Sequence, residues 1–346
     1  MSVLSLHKGL FVLVFLCGCK LFAAPHAKLE KDLVVSLVHP DSWGIEGHAL
    51  YLQAGEGVLQ TGFKIKTANG AALIGYKPGW HWGFEVGGKY YLDSNGTFAW
   101  NWSNYRNSNQ RYNLPKPQYL GTVINFNNAD FPTIQTIENY AINDLSLHST
   151  IAWDQINLEA GTHLAMAEGV IFYPHADVQI ARVANYQNTS AETFDSTNGI
   201  ITYNRNRAAM FNGAGPRLGF ELSRTNDVGV TVYGNGALGL LAGVVKSSDQ
   251  ISLSKFVYPY VQKDLYYSGT SLSLAKIVPT LAAKLGGQFK HELAQGILSI
   301  DLGWLFNSYV GALDTSEQYG VMSRSPSSPF TIQGLLIGFN WIGSIA

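Results

Sequence analysis

Ala214-Gly215-Pro216-Arg217-Leu218-Gly219-Phe220-Glu221-Leu222-Ser223 is the stretch whose reading decides the fold. Its even positions are Ala214, Pro216, Leu218, Phe220 and Leu222, and its odd positions are Gly215, Arg217, Gly219, Glu221 and Ser223. A short polar cluster, Arg224-Thr225-Asn226-Asp227, follows. Beyond it Val228, Val230, Val232, Gly234, Gly236, Leu238, Leu240, Ala242 and Val244 alternate with Gly229, Thr231, Tyr233, Asn235, Ala237 and Gly239. Side chains that change face at every residue mean extended chain, and the polar cluster between the two runs makes them the arms of a β-hairpin. Both arms exceed the roughly 5–6 residues of an ordinary strand. One face is apolar throughout and the other mixes glycine with charge. A strand that crosses a membrane needs about 9–11 residues with that division, apolar toward lipid and polar toward the lumen.

The same alternation recurs on either side. Trp43 to Gln53 carries Trp43, Ile45, Ala49 and Tyr51 on one parity, with Glu46 and His48 on the other. Gly79 to Leu92 is the cleanest run: Trp80, Trp82, Phe84, Val86, Tyr90 and Leu92 alternate with His81, Glu85 and Lys89. Phe98, Trp100 and Trp102 form the next arm, and aromatic rings of this kind suit the headgroup zone at a membrane surface. Further strands are expected over 151–166 and 170–184, separated by a turn at Ala167-Glu168-Gly169, then over 277–290, 298–307 and 334–341. Arg182 falls on the lipid-facing parity, which places it near an interface or a bulge. Pro279 is expected near the start of its strand, since it cannot donate to a ladder. The polar stretches 105–147, 185–206, 247–275 and 310–330 read as loops. The segment 54–78 reads as a loop or a short extra hairpin around Phe63-Lys64-Ile65.

Long and short connections alternate, so the long ones fall on one side. The expected fold is therefore all-β: a transmembrane antiparallel β-barrel of about ten strands, with eight or twelve as alternatives, short periplasmic turns and long extracellular loops. The barrel must close because lipid cannot satisfy the edge of a sheet.

Composition agrees. Charged residues are 14% of the 346 and glycine accounts for 36, against about 25% charge and about 7% glycine in soluble domains. A net charge of −1 offers no basic footprint for nucleic acid. Residues 1–24 read as a signal peptide for export to the outer membrane, with Lys8 before an apolar run from Gly9 to Leu16 and Phe22-Ala23-Ala24 at the cleavage site. Leu16-Cys17-Gly18-Cys19 offers the alternative of lipidation at Cys19. Residues 25–42 are a periplasmic lead-in and 43–342 the barrel. The only cysteines, Cys17 and Cys19, lie in the leader, so a mature chain would have no disulfide and no thiol nucleophile.

Three stretches carry a family likeness: Trp153-Asp154-Gln155-Ile156-Asn157-Leu158-Glu159-Ala160-Gly161, His175-Ala176-Asp177-Val178-Gln179-Ile180-Ala181-Arg182 and Phe211-Asn212-Gly213-Ala214-Gly215-Pro216-Arg217-Leu218-Gly219. With Trp80-His81-Trp82-Gly83-Phe84 they resemble the Legionella-type major outer membrane protein family, in order over about residues 40–342. The resemblance implies an outer-membrane β-barrel with porin-type function and contacts at a host-cell surface. The chain departs from disulfide-linked members in having no cysteine after the leader, and its end runs past the usual terminal aromatic.

The inward parity carries the chemistry: Glu46, His48, His81, Glu85, Lys89, Glu159, His163, His175, Asp177, Arg217, Glu221, Lys284 and Asp301. These are either a polar pore wall that tunes the passage of solutes and ions, or compensating ion pairs that fill a narrow lumen. Arg217 wants a carboxylate, and Glu159, Asp177 and Asp301 are the choices. No HxxxH or HExxH pattern marks a metal site, the glycines lack the strand–loop–helix setting of a phosphate cradle, and no cofactor is expected. No Gly-x-Ser-x-Gly elbow and no outward Ser with a His indicate a hydrolase, so no enzyme is expected. Expected partners are outer-membrane lipids, small solutes if the pore is open, and host-surface ligands through the loops. The alternative to a porin is a plugged structural or recognition barrel.

Overall fold

The computed structural model describes residues 42–55, 63–67, 70–74, 78–92, 96–113, 122–124, 137–195, 199–226, 228–257, 261–313, 317–319, 322–324 and 329–344. Residues 1–41, expected to be a leader and a lead-in, lie outside the described residues. Ten antiparallel strands close into a barrel. They are β1 (Ser42–Ala54), β2 (Trp80–Tyr91), β3 (Gly96–Asn113), β4 (Ile137–Thr162), β5 (Val170–Asp195), β6 (Gly199–Thr225), β7 (Val230–Val257), β8 (Val261–Leu293), β9 (Gly296–Tyr309) and β10 (Phe330–Ser344). Each pairs with its neighbour in sequence, and β10 returns to pair with β1 from Ser344 opposite Ser42 to Ile332 opposite Ala54.

The register fixes the width of the barrel. Opposed residues lead from Trp43 through Tyr90, Phe98, Ala160, Ala176, Leu218, Leu238, Leu281 and Ser308 to Thr331. Thr331 then accepts a hydrogen bond from the amide of Gly55 rather than meeting Trp43. The closure is thus staggered by about 12 residues, which for ten strands spaced about 4.8 Å tilts them by about 40° and sets a backbone radius of about 10 Å. Side chains from facing walls meet across such a lumen.

The lipid-facing wall follows the alternation. Leu218 is 68% exposed and Leu238 65%, with Val178, Ile180, Ile277, Ile300 and Phe339 exposed beside them. On β6 this apolar band runs between Arg224 and Asn212, and 12 residues at this tilt span about 30 Å, the thickness of a hydrocarbon core. Aromatic rings mark both borders. Trp43 meets Trp341 edge-on at 4.8 Å at the periplasmic end, and Tyr51 lies 4.9 Å from Trp82 toward the other. The periplasmic turns are tight, and two use glycine in the left-handed region, Gly169 at φ 68° and Gly229 at φ 83°.

Several expectations change. The stretches expected as loops at 185–206 and 247–275 are largely strand: β5 and β6 run on until only residues 196–198 separate them, and β7 and β8 until only 258–260 do. Much of 105–147 is strand too, at the ends of β3 and β4. Beyond the apolar band the outward face meets water and the buried inward face carries polar Asn185, Gln187 and Thr189, so the apolar alternation that marks a strand disappears while the hydrogen-bonded ladder continues. The hairpin suspected around Phe63 forms between Phe63–Thr67 and Gly70–Ile74, but it stands apart from the barrel and leaves the strand count at ten. Pro279 lies inside β8, not near its start. It sits where pairing with β9 ends: Thr280 opposes Tyr309, and the Pro279 carbonyl accepts the Val310 amide at 2.9 Å. The missing N–H therefore points beyond the end of the ladder.

The strand extensions carry their own ion pair. Arg205 Nε donates to Asp249 Oδ1 at 2.9 Å and its Nη2 to Oδ2, between neighbouring strands beyond the apolar band. Burial alone would raise the Asp249 pKa, but the hydrogen bond and charge of Arg205 and the charge of Arg207 outweigh it and hold the carboxyl below its ordinary value. A depressed acid stabilises the fold fully above the unfolded pKa of about 3.9, and that contribution is lost as pH falls through the folded value. Asp249→Asn should therefore speed amide exchange in the outer part of β6 and β7 at pH 7 by the equivalent of about 1–3 kcal/mol. Below the folded pKa, exchange in variant and parent should converge.

Candidate functional site: the barrel interior

Cross-strand register brings the inward residues into rows. One row runs Asp301 on β9, Gly338 on β10, His48 on β1, Glu85 on β2 and Ser103 on β3. His48 lies over Gly338 and touches both acids, with Nδ1 3.3 Å from Glu85 Oε1 and Nε2 3.2 Å from Asp301 Oδ2. Only glycine permits this: a Cβ on residue 338 would sit 2.1 Å from His48 Cδ2. Ser103 Oγ donates to Glu85 at 2.8 Å, and Tyr233 donates to Asp301 at 2.7 Å. Lys284 Nζ, from β8, donates to Glu85 on β2 at 3.1 Å. Those strands are not neighbours, so this bond passes through the interior.

A second row places Glu159, Asp177 and Arg217 side by side on β4, β5 and β6. Of the three carboxylates available to Arg217, the structure selects Asp177, with Nε 3.1 Å from Oδ2. His175 Nδ1 lies 2.7 Å from Asp177 Oδ1 and 3.4 Å from Glu159 Oε2. Its ring packs against Gly219, where a Cβ would come within 2.4 Å. Glu159, His175 and Asp177 bring ligand-type atoms within 4.8 Å of one another. Arg217 already neutralises Asp177, so the chemistry of the group is that of an ion-pair cluster and not of a vacant cation site. Glu46 pairs with Lys89 at 3.0 Å. His163 meets Thr97 Oγ1 at 3.0 Å and stacks on Tyr173 at 4.3 Å. His81 and Glu221 lie half-buried on the same parity and have no ion pair among the described residues.

Toward the cell exterior the interior changes character, which the sequence reading missed. Leu50, Leu52, Trp153, Val183, Phe211, Leu241, Val278, Ile332 and Leu336 are fully buried there and form one apolar cluster. Within it Trp153 Nε1 donates to the Tyr309 hydroxyl at 2.8 Å, and that hydroxyl donates to Gln155 at 2.6 Å. β4 and β9 stand opposite each other in the ring of strands, so this chain of bonds crosses the full lumen. Thr280 to Gln179, at 3.2 Å, ties β8 to β5 just below. The signal was present in the sequence: Leu50, Leu52, Trp153, Phe211 and Leu241 sit on the parity that elsewhere carries charge.

Comparison with solved structures finds other outer-membrane barrels at low identity. The outer membrane protease OmpT from Escherichia coli aligns with a TM-score of 0.41 and 10% identity, covering 90% of this chain and 100% of that one. A Pseudomonas aeruginosa FadL homologue aligns at 0.28 and 6%, covering 90% and 92%. The Ralstonia pickettii toluene transporter TbuX aligns at 0.19 and 10%, covering 88% and 90%. Comparison with curated proteins finds no match. The model of one family, described as the Legionella pneumophila major outer membrane protein precursor, matches residues 38–343. A closed ten-stranded barrel with a lipid-facing apolar band, matched over nearly its whole length, belongs to the Legionella major outer membrane protein family and resides in the bacterial outer membrane.

Proposed function

We propose that this chain is a closed-lumen outer-membrane barrel whose work is done at its outer surface and lipid-facing wall, with the interior serving as its core. The observation that carries this reading is the Trp153–Tyr309–Gln155 chain across the lumen, set among fully buried aliphatic side chains. An apolar cluster of this kind opposes the passage of water and ions, because crossing it costs a solute its hydration. The charged rows beneath are tied together by acid–base contacts, as expected of groups that fill a narrow barrel.

A porin-like reading, passive diffusion of small solutes, keeps one observation in its favour. Below the apolar layer Lys89 and Lys284 are 32% and 22% exposed within a polar half-lumen, as selectivity charges would be. This reading requires the Tyr309 layer to part. Planar-bilayer recording from the purified, folded protein separates the two. The closed reading expects a silent membrane, and reproducible single-channel steps would overturn it.

A further inference from the structure

Arg182 stands on the outward face of β5, directly above Ile180, the last large aliphatic residue of that face. On β7 the residue in register with Arg182 is Val244; Lys246 lies two residues above it, in one row with Ala184 of β5 and Arg106 of β3. All three are exposed, and none has a hydrogen-bond or ion-pair partner among the described residues. Asp154 opposes Arg182 on the neighbouring strand, but its Oδ1 is taken by the Asn104 amide and it forms no ion pair with the guanidinium. Three unpaired cations at the outer border of the hydrocarbon band face whatever lies in the outer leaflet.

Above them β4 to β7 form a groove of about 260 Å³, whose outward-facing lining includes His148, Thr150, Tyr186, Asn188, Asn206 and Gln250. The lining combines an exposed tyrosine ring with amide side chains that both donate and accept, which is the chemistry that holds a sugar: a flat apolar surface for its ring face and paired polar groups for its hydroxyls. Below the cations lie Val178, Ile180, Leu218, Leu238 and Leu240, all exposed. Exposed aliphatic side chains, basic residues and a groove edged by a tyrosine ring and amides thus follow one another along one wall.

We propose that the outer wall of β3 to β7 binds a phosphorylated glycolipid of the outer leaflet, its phosphates on Arg182, Lys246 and Arg106 and its sugar in the Tyr186 groove. Basic residues near an anionic membrane surface attract it, so three of them on one wall select phosphate-bearing headgroups over neutral ones. The site lies outside the lumen and stands whether or not the barrel conducts.

The test measures binding to the full folded chain in neutral detergent by native mass spectrometry and thermal unfolding, with four probes: diphosphorylated lipid A, its dephosphorylated form, phosphatidylglycerol and inorganic phosphate. Diphosphorylated lipid A should bind at least ten times more tightly than the dephosphorylated form and raise the melting temperature. The double variant R182Q/K246Q should lose at least tenfold of that affinity, and Tyr186→Ala should weaken lipid A but not phosphatidylglycerol. These substitutions lie on an exposed wall, so both variants should fold. Equal binding of the two lipid A forms, an unchanged double variant, or an effect reproduced by inorganic phosphate alone would overturn the proposal.

Discussion

Replacing Trp153 and Tyr309 together with alanine should convert a silent barrel into a conducting one. The two rings are fully buried, they come from opposite walls, and their hydrogen bond spans the lumen within the apolar cluster. Removing both deletes the bridge, strands the Gln155 amide and opens space at the centre of a barrel about 10 Å in backbone radius. Water should then connect the polar half-lumen around Lys89 and Lys284 with the exterior. Each truncation costs about 3–5 kcal/mol of stability, so folding should be checked first by heat-modified mobility in gels. The folded fraction is expected to give discrete conductance steps in a planar bilayer, and Phe220→Ala, on the lipid-facing wall, should not. A silent double variant that folds would mean the closure is thicker than these two rings. Steps already present in the parent protein would restore the porin reading.

The lipid-facing half of this fold was legible in the sequence because lipid imposes one rule on every second residue. Leu218, Phe220, Leu238 and Leu240 all face out as their parity requires. The rule lapses in two places. Above the membrane, Asn185, Gln187 and Thr189 point inward while Tyr186 and Asn188 point outward, and with both faces polar the run reads as a loop although it is regular strand. Inside the barrel nothing in the alternation distinguishes a polar wall from a packed core. Leu50 and Leu52 share a parity with Glu46 and His48, so the strand changes from charge to grease halfway along one face.

Partner choice was equally hidden, since it depends on register and not on spacing. Asp177 pairs with Arg217 because the two strands set them opposite each other, and Lys284 reaches Glu85 only because the ring closes. The glycines are where sequence and packing meet. Gly219 lies under His175, Gly338 under His48, and Gly286 and Gly303 under the Tyr233 hydroxyl. Each of these three polar side chains rests on a neighbour that has none, an arrangement that period-2 reading cannot see because it compares residues along a strand and not across the sheet.

A single-residue effect as large as those truncations should therefore come from a glycine. Gly338→Val adds a branched side chain where even a Cβ would lie 2.1 Å from His48 and 2.5 Å from the Gly47 carbonyl. The carbonyl belongs to the paired backbone of β1 and cannot swing away, so His48 must leave. Its departure separates Asp301 from Glu85, leaving Asp301 with Tyr233, and Glu85 with Lys284 and Ser103. Overpacking costs about 1–3 kcal/mol and the broken buried pair adds more, so a loss of about 3–5 kcal/mol is expected in urea titrations of the protein in lipid vesicles, followed by tryptophan fluorescence. Gly287→Val is the matched control. It lies on β8, where the nearest atom to an added Cβ is the Thr231 carbonyl oxygen at an ordinary 3.8 Å, and it should shift stability by less than about 0.5 kcal/mol. Equal losses in the two variants would mean that both respond to the general cost of filling a glycine, and that the acid–histidine–acid row holds nothing together. A large gap between them would place the stability of the barrel in the chain of contacts that passes over residue 338.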